Sequence, residues 1–176
     1  MKAIDQATIV FTSRSANEGF ARAAAACFAA QLDPTLDEVA DIKTAVSEAV
    51  TNAIVHAYPD RLGRVTMRLR LLEGNELEVQ VKDSGVGLAD VEQARTPLFT
   101  TGNEERSGMG FTIMESFMDG LKVKSAPGKG TTVTMRKRIA RRISGLMGRP
   151  APPSCWRRPG WGMSGPVSRC WRRTTG

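Results

Sequence analysis

The chain has 176 residues and a formal net charge of +7 at pH 7, a length that suits one domain with a hydrophobic core or one domain with an appendage. Its three cysteines match neither a metal-binding spacing nor a disulfide framework, and no apolar run is arranged as a signal peptide or long enough to span a membrane. These features argue against a disulfide-stapled secreted domain and a membrane span, and we expect a protein of the reducing cytoplasm whose domain has no membrane partner.

The charge is distributed unevenly along the chain. Residues 1–135 contain 14 Lys or Arg and all 18 Asp or Glu, whereas residues 136–176 contain the other 11 basic residues and no acid. We therefore predict a domain over residues 1–140 and a basic tail, rich in Trp, Pro and Gly, over residues 141–176. The tail lacks an apolar period, so we expect it to be disordered. Binding of nucleic acid or lipid and an out-of-frame carboxy terminus remain open for it.

The first half of the chain predicts one strand and two helices. Residues 7–12 are β-branched and aromatic, which is typical of a strand. Residues 15–32 form an alanine-rich helical pattern, which Ser15 and Glu18 begin as a predicted capping box. Residues 36–57 place apolar side chains three and four positions apart, as one buried helix face does.

The second half predicts a hairpin, a lid and three further elements. Residues 65–71 and 77–81 flank a loop with a glycine and predict a β-hairpin. Residues 89–107 have no sustained period, and a connection of this length is typically a functional lid. The remaining elements are a helix over residues 111–118 and strands over residues 121–124 and 131–136.

This order of elements predicts the fold class. We predict a two-layer α/β sandwich whose mostly antiparallel sheet carries helices on one face. The order that favours it is strand, helix, helix, strand, strand, lid, helix, strand and strand. The order is not a parallel βαβ series, so it argues against a Rossmann domain despite the glycines.

Two polar residues stand at the edge of the second helix. Glu48 and Asn52 lie outside the apolar stripe and are four residues apart, so they stand one above the other on one helix edge. A carboxylate can accept a proton, and an amide oxygen can bind Mg²⁺ without titrating. The pair suits phosphoryl transfer, although a solvated polar edge would have the same pattern.

Two glycine motifs follow the hairpin. In Asp83-x-Gly85-x-Gly87, glycines would let a planar base approach the backbone while the aspartate accepts from an exocyclic amine. Gly108-x-Gly110 directly precedes a predicted helix, whose first N–H groups would form an anion site for phosphates. Each motif alone is also typical of an ordinary turn or loop.

The motifs are specific in combination. With Gly128-Lys129-Gly130-Thr131, their order resembles the GHKL superfamily, named for gyrase, Hsp90, histidine kinases and MutL, and so implies the sandwich of that type. The stretches S-E-A-V-T-N-A-I-V-H-A-Y, P-L-F-T-T and E-R-S-G-M-G-F-T-I-M-E-S-F-M-D are most similar to the anti-sigma F factors of sporulating bacteria, which are serine protein kinases. The likeness covers about residues 7–139.

The resemblance implies ATP and Mg²⁺ as cofactors and a role for each motif. It makes Asn52 the ligand of the Mg²⁺ that bridges the phosphates, and Glu48 the general base for the attacking serine hydroxyl. Asp83 would bind adenine, and Arg106 would neutralise the transferring phosphate as the lid closes. The implied nucleotide contacts are Gly85 and Gly87 beneath the base, Gly108 and Gly110 at the phosphates, and Thr131 at the adenine end.

The resemblance also implies protein partners. The chain would hold a sigma factor, sigma F, in an inactive complex and phosphorylate an anti-anti-sigma protein on serine, as a homodimer and without specific nucleic-acid binding. Arg22 matches an arginine that contacts both partners. An anti-sigma kinase for a stress-response sigma factor and a nucleotide-gated binding module with little kinase activity are the alternatives. Glu48 argues against the binding module, because ATP binding alone needs no base.

Overall fold

The computed structural model describes residues 2–89 and 109–140. The strands are β1 (Ala3–Thr12), β2 (Arg64–Leu72), β3 (Glu76–Asp83), β4 (Gly120–Ala126) and β5 (Gly130–Arg138). The helices are α1 (Ala16–Ala29), which continues as a 3-10 turn over Ala30–Leu32, then α2 (Leu36–Val55) and α3 (Gly110–Phe117). The predicted order of elements is confirmed.

The five strands form one sheet in the order β1-β2-β3-β5-β4. All four pairings between these strands are antiparallel. The helices pack on one face of the sheet, so the predicted two-layer α/β sandwich is confirmed.

The hydrophobic core lies between that face and the helices. Alternate residues of the central strands point into it, as the period of two dictates, and α2 supplies its three-and-four stripe. The α1 residues that enter the core, Ala21, Ala25 and Ala29, are fully buried and small. Small side chains let α1 approach α2 closely, and this packing holds the Glu48 helix in place. The largest fully buried side chains of this core include Ile42, Met67, Leu69, Leu77, Met114 and Met135.

One predicted helix cap is wrong. Ser15 makes no side-chain cap hydrogen bond, because its backbone is already helical (φ −56°, ψ −33°). Glu18 instead accepts a hydrogen bond from the Ser47 hydroxyl at 2.5 Å, which ties α1 to α2. The capping box is at α2, where Thr35 N–H donates to Glu38 Oε2 at 2.7 Å and Glu38 N–H donates to Thr35 Oγ1 at 3.2 Å.

The edge strand β1 is longer than predicted. It begins at Ala3, which pairs with Leu72, although polar residues such as Asp5 and Gln6 lower the strand propensity of this segment. Hydrogen bonds to β2 therefore extend the strand where local preference does not.

The chain divides into two units, Met1–Arg142 and Ile143–Gly176, and the described residues all belong to the first. Most of the predicted lid and all of the predicted tail lie outside the described residues. Across residues 2–89 and 109–140, no helix is both long and apolar enough to cross a membrane.

Candidate functional site

The start of α3 meets the polar edge of α2. Glu48 and Asn52 are both half-buried on that edge, and Gly110 is the first residue of α3. A Cβ built on Gly110 would lie 3.1 Å from Glu48 Oε2 and 3.3 Å from Asn52 Nδ2. Three residues that are up to 62 positions apart in the chain therefore converge on one point.

Glycine at position 110 leaves this point open. A contact of 3.1 Å from a Cβ to a carboxylate oxygen is tighter than ordinary van der Waals packing, so any side chain at position 110 would fill the space beside Glu48 and Asn52. The first N–H groups of α3 begin at the same place and have no partner within the helix. A carboxylate that can accept a proton, an amide oxygen of a kind that can bind a metal, and a helix start of a kind that can bind an anion therefore lie close together.

Asp83 ends β3 inside the protein and is only 5% exposed. Its Oδ1 accepts two backbone hydrogen bonds, from Gly85 N–H at 2.9 Å and from Thr131 N–H at 3.1 Å. Burial raises the pKa of Asp83, and these hydrogen bonds oppose the rise without cancelling it.

The second oxygen of Asp83 remains available. Its Oδ2 has no hydrogen-bond partner in the described part of the chain, where no buried side-chain oxygen or nitrogen is left unsatisfied. Oδ2 is therefore not completely buried. The side chain presents one free acceptor beside the sheet, held in place through its other oxygen.

Gly85 is required by packing against the end of α2. A Cβ on Gly85 would lie 2.0 Å from the carbonyl oxygen of Ala57, a contact that no side chain can make. Val86 N–H donates to that same oxygen at 2.9 Å. The turn after β3 is therefore bonded to Ala57, two residues beyond α2, and this fixes Asp83 relative to Asn52.

Gly87 and Gly130 join that turn to the turn between β4 and β5. Gly87 has φ +70° and a Cβ there would lie 2.1 Å from the Ala126 carbonyl oxygen. Gly130 has φ +79° and its Cβ would lie 2.3 Å from the Asp83 carbonyl oxygen. These conformations and contacts require glycine for the backbone itself. A role of Gly85 and Gly87 beneath a base stays a prediction.

Ser125 is a residue of this region that sequence reasoning missed. Its hydroxyl contacts Thr131 Oγ1 at 2.8 Å and accepts from Leu88 N–H at 2.7 Å. It therefore orients Thr131 and the segment that leads toward the lid. No sequence motif marks Ser125; the β4–β5 register seen in the structure places it opposite Thr131.

Tyr58 was also missed. Its hydroxyl donates to the Arg64 carbonyl oxygen at 2.7 Å and accepts from Ser84 N–H at 2.8 Å. The buried tyrosine thus supports the Asp83 turn from behind. A cavity of about 290 Å³ opens beside it, lined by Ala57, Tyr58, Pro59, Asp60, Arg61, Ser84, Gly85, Val86 and Gly128. Neither Asn52 nor Asp83 lines this cavity, so it is separate from the point where the polar groups converge.

The remaining predicted site residues are Arg106, Gly108 and Arg22. Arg106 and Gly108 lie outside the described residues. Arg22 lies on α1, where its half-exposed side chain forms an ion pair with Glu18 at 3.5 Å.

The donor set for a metal is small. No group of three or more His, Cys, Asp or Glu that could hold a metal occurs in residues 2–89 and 109–140. Mg²⁺ is commonly held by one or two protein oxygens and completes its shell with phosphate oxygens and water. Asn52 together with the phosphates of a nucleoside triphosphate would fit this pattern. The described residues do not form a dedicated protein cage for a metal.

Comparison with known proteins identifies close relatives. Residues 11–137 match the histidine kinase-like ATPase domain family. The chain is 59% identical to the anti-sigma F factor of Caldanaerobacter subterraneus subsp. tengcongensis over 132 residues, which cover 74% of this chain and 92% of that protein. It is 53% identical to the anti-sigma F factor of Clostridium acetobutylicum over 131 residues, which cover 74% of this chain and 91% of that protein.

One solved structure supports the fold. The RsbU and RsbW domains of a Mycobacterium tuberculosis protein align over 78% of this chain and 33% of that one, with a TM-score of 0.57 and 19% identity.

Proposed function

Because the chain belongs to the histidine kinase-like ATPases, and within them to the anti-sigma F factor family, we propose that it is an ATP-dependent protein-serine kinase that also sequesters a sigma factor. The observation that carries the proposal is the convergence of Glu48, Asn52 and Gly110. A base serves no purpose in a site that only binds a nucleotide, and here the carboxylate lies next to the residue proposed to hold the metal.

Asp83 selects the adenine. Its free Oδ2 accepts a hydrogen bond from the exocyclic amine of the base, while Gly85 and Thr131 hold Oδ1. Gly87 supports the turn beneath the base, and Thr131 holds the adenine end. A buried carboxylate whose Oδ1 is already held by two backbone N–H groups keeps its geometry when the ligand arrives, so little ordering is needed on binding.

The start of α3 and the edge of α2 hold the phosphates. Gly110 and Gly108 present backbone N–H groups to them, Arg106 adds a positive charge, and Asn52 Oδ1 binds the metal. When bound, Mg²⁺ supplies neutralisation of the charge that develops on the phosphate oxygens.

The transfer is a direct displacement. The hydroxyl oxygen of a serine in the protein substrate attacks the γ-phosphorus, the bond from that phosphorus to the β,γ-bridging oxygen breaks, and ADP leaves. Glu48 orients the serine hydroxyl and accepts its proton. The products are a phosphoserine, ADP and one proton held by Glu48 that passes to solvent.

The substrate and the sequestered protein follow from family membership. We propose an anti-anti-sigma protein as the serine substrate and sigma F as the sequestered factor, with the chain acting as a homodimer. Arg22 on α1 is the proposed shared contact, since its side chain is half-exposed while it pairs with Glu18. A sigma factor of a stress response remains the alternative partner.

The test is phosphotransfer between purified proteins. The full chain, an anti-anti-sigma protein and Mg-ATP are incubated together, and the modified residue is mapped by mass spectrometry. We expect one phosphoserine on the partner and none when Mg²⁺ is chelated. ATP binding without any phosphate on the partner would show a binding module in place of a kinase.

A further inference from the structure

The face of the sheet opposite the helices is strongly basic. The strand register places on it the side chains that alternate with the core residues, and no described helix packs against them. Its basic members are Arg64, Arg68 and Arg70 of β2, Lys82 of β3, Lys122 and Lys124 of β4, and Arg136 and Arg138 of β5. We call this surface the open face.

Among the described strand residues, two acids, Glu76 and Glu78, share the open face, and both are buried. Glu78 contacts the guanidinium of Arg70 and accepts from Arg136 Nη2 at 2.8 Å. Glu76 lies 3.7 Å from Arg136 Nε. Arg136 therefore engages both carboxylates, and Arg70 engages Glu78 as well.

Six cations remain without an acidic partner in the described part of the chain. They are Arg64, Arg68, Lys82, Lys122, Lys124 and Arg138, and all six are exposed. They are spread over four strands, so their mutual repulsion is relieved only by solvent and salt. The open face therefore carries a positive electrostatic field on a β-sheet.

The charge decides what can bind there. A second copy of this chain would oppose one open face with another, and residues 141–176 contain basic residues and no acid. Both occupants are repelled. A purely apolar partner finds little to bury on the basic strands, since the exposed apolar side chains of this face, Ile4 at 67% and Val10 at 55%, lie on the edge strand β1.

The composition of the open face also favours protein over nucleic acid. Sheets that bind single-stranded nucleic acid stack bases on aromatic side chains, and no aromatic residue lies on the open face in the described strands. A helix that carries carboxylates at i and i+4 places them about 6 Å apart. Alternate residues of a strand, such as Lys122 and Lys124, are about 7 Å apart, a matching interval.

We propose that the open face is a docking surface for an acidic helical segment of a partner protein. Asp83 belongs to the opposite, helix-covered face, where its register partner is Val65, so docking leaves the proposed nucleotide site accessible. The inference does not depend on kinase activity.

The test uses a charge-reversal variant with a matched control. Arg68→Glu combined with Lys122→Glu reverses two charges in one row across the open face, where Gln80 and Thr134 lie between them. Arg14→Glu combined with Lys43→Glu makes the same change in net charge at exposed positions away from the sheet. Both variants are made in the full chain, so the basic tail contributes equally to each.

The probe is a labelled synthetic helix of about 20 residues with glutamates at i and i+4 along one face, and its affinity is measured by fluorescence anisotropy at low salt. We expect the open-face variant to bind roughly tenfold more weakly or worse, and the control within about twofold of the wild type. Equal loss in both variants, or no loss in either, would overturn the proposal. Should a labelled DNA duplex bind more tightly than the peptide and lose affinity only in the open-face variant, the surface would be a nucleic-acid site.

The melting temperature and ATP affinity of each variant are measured in parallel, and we expect both to match the wild type. If the charge reversal unfolds the protein, Arg68→Gln with Lys122→Gln is used instead. A salt dependence of peptide binding equal to that of the wild type in this neutral variant would also refute the docking surface.

Discussion

Replacing Asp83 by asparagine separates a binding role from a structural one. Oδ1 of the new side chain must face the N–H groups of Gly85 and Thr131, as Oδ1 of the aspartate does. The amide nitrogen then takes the place of Oδ2 and points a donor at the exocyclic amine of adenine, which is also a donor. A charged hydrogen bond is lost, which costs about 1.5–3 kcal/mol and weakens ATP binding by about 10- to 150-fold.

In contrast to its ATP affinity, the stability of the Asp83→Asn variant should not fall. Burial raises the pKa of Asp83, so the folded protein holds the proton more tightly than the unfolded chain does. The stabilising effect of this group is therefore present below its unfolded pKa and is lost as pH rises through its folded pKa. At pH 7 Asp83→Asn removes a desolvated charge, and we expect a melting temperature equal to or above that of the wild type. The difference should shrink in acid, where the wild-type side chain is itself protonated.

The assay is nucleotide affinity by calorimetry, with ATP and with the purine riboside triphosphate that lacks the 6-amine. The wild type should prefer ATP, and the asparagine variant should bind both nucleotides about equally. Equal weakening of both nucleotides would show that Asp83 acts through the fold alone. ATP affinity within twofold of the wild type would refute the contact altogether.

Three further changes test other parts of the account. Asn52→Ala leaves no oxygen for the metal, so Mg²⁺-dependent ATP affinity measured with a fluorescent analogue should disappear, and unchanged affinity would remove Asn52 from the site. Gly85→Ala forces a Cβ to 2.0 Å from a carbonyl oxygen and should lower the free energy of unfolding in urea by about 1–3 kcal/mol or more. In the control, Gly19→Ala, the new Cβ meets nothing within 4 Å, and the free energy of unfolding should rise by up to about 1 kcal/mol. Equal effects of the two substitutions would contradict the packing argument. Arg22→Ala should weaken the sigma complex in a pull-down titration without changing ATP affinity, and a normal complex would exclude this contact.

The architecture was accessible from the sequence because local pattern and tertiary packing agree along most of the chain. The stripe on α2 that includes Val46 and Val50 is the face that enters the core. The capping box predicted at α1 is wrong although Ser15 and Glu18 match its pattern. Glu18 instead contacts the neighbouring helix α2. The box at Thr35 and Glu38 has the same spacing, so the pattern alone could not decide between them.

The geometry of the candidate site was not predictable from the spacing of its residues. The spacing of Glu48 and Asn52 on a helix determines that they share an edge, but only the packing of α3 brings Gly110 against them. Gly85 was predicted for the approach of a base, and the structure gives a backbone contact as the reason for glycine. That contact joins the ends of two elements 28 positions apart, a distance no local pattern spans.

The basic charge of the open face could not be predicted from the sequence either. Arg70, Glu78 and Arg136 are separated by up to 66 positions and stand side by side only through the β2-β3-β5 register. In the sequence, the domain through residue 135 has more acidic than basic residues, so its overall charge gives no sign of a basic surface.

The central claim is that Glu48 serves catalysis beside a metal-bound nucleotide, and a single-turnover comparison of the wild type with Glu48→Gln tests it most directly. Both proteins are loaded with Mg-ATP, mixed with the anti-anti-sigma protein, and quenched at intervals for phosphoserine quantification, with ATP affinity measured on the same preparations. We predict unchanged ATP affinity and a transfer rate lower by about 10²- to 10⁴-fold in the variant, the usual contribution of a positioned base. Transfer at the wild-type rate would contradict the account and leave the Glu48 edge of α2 as a solvated surface.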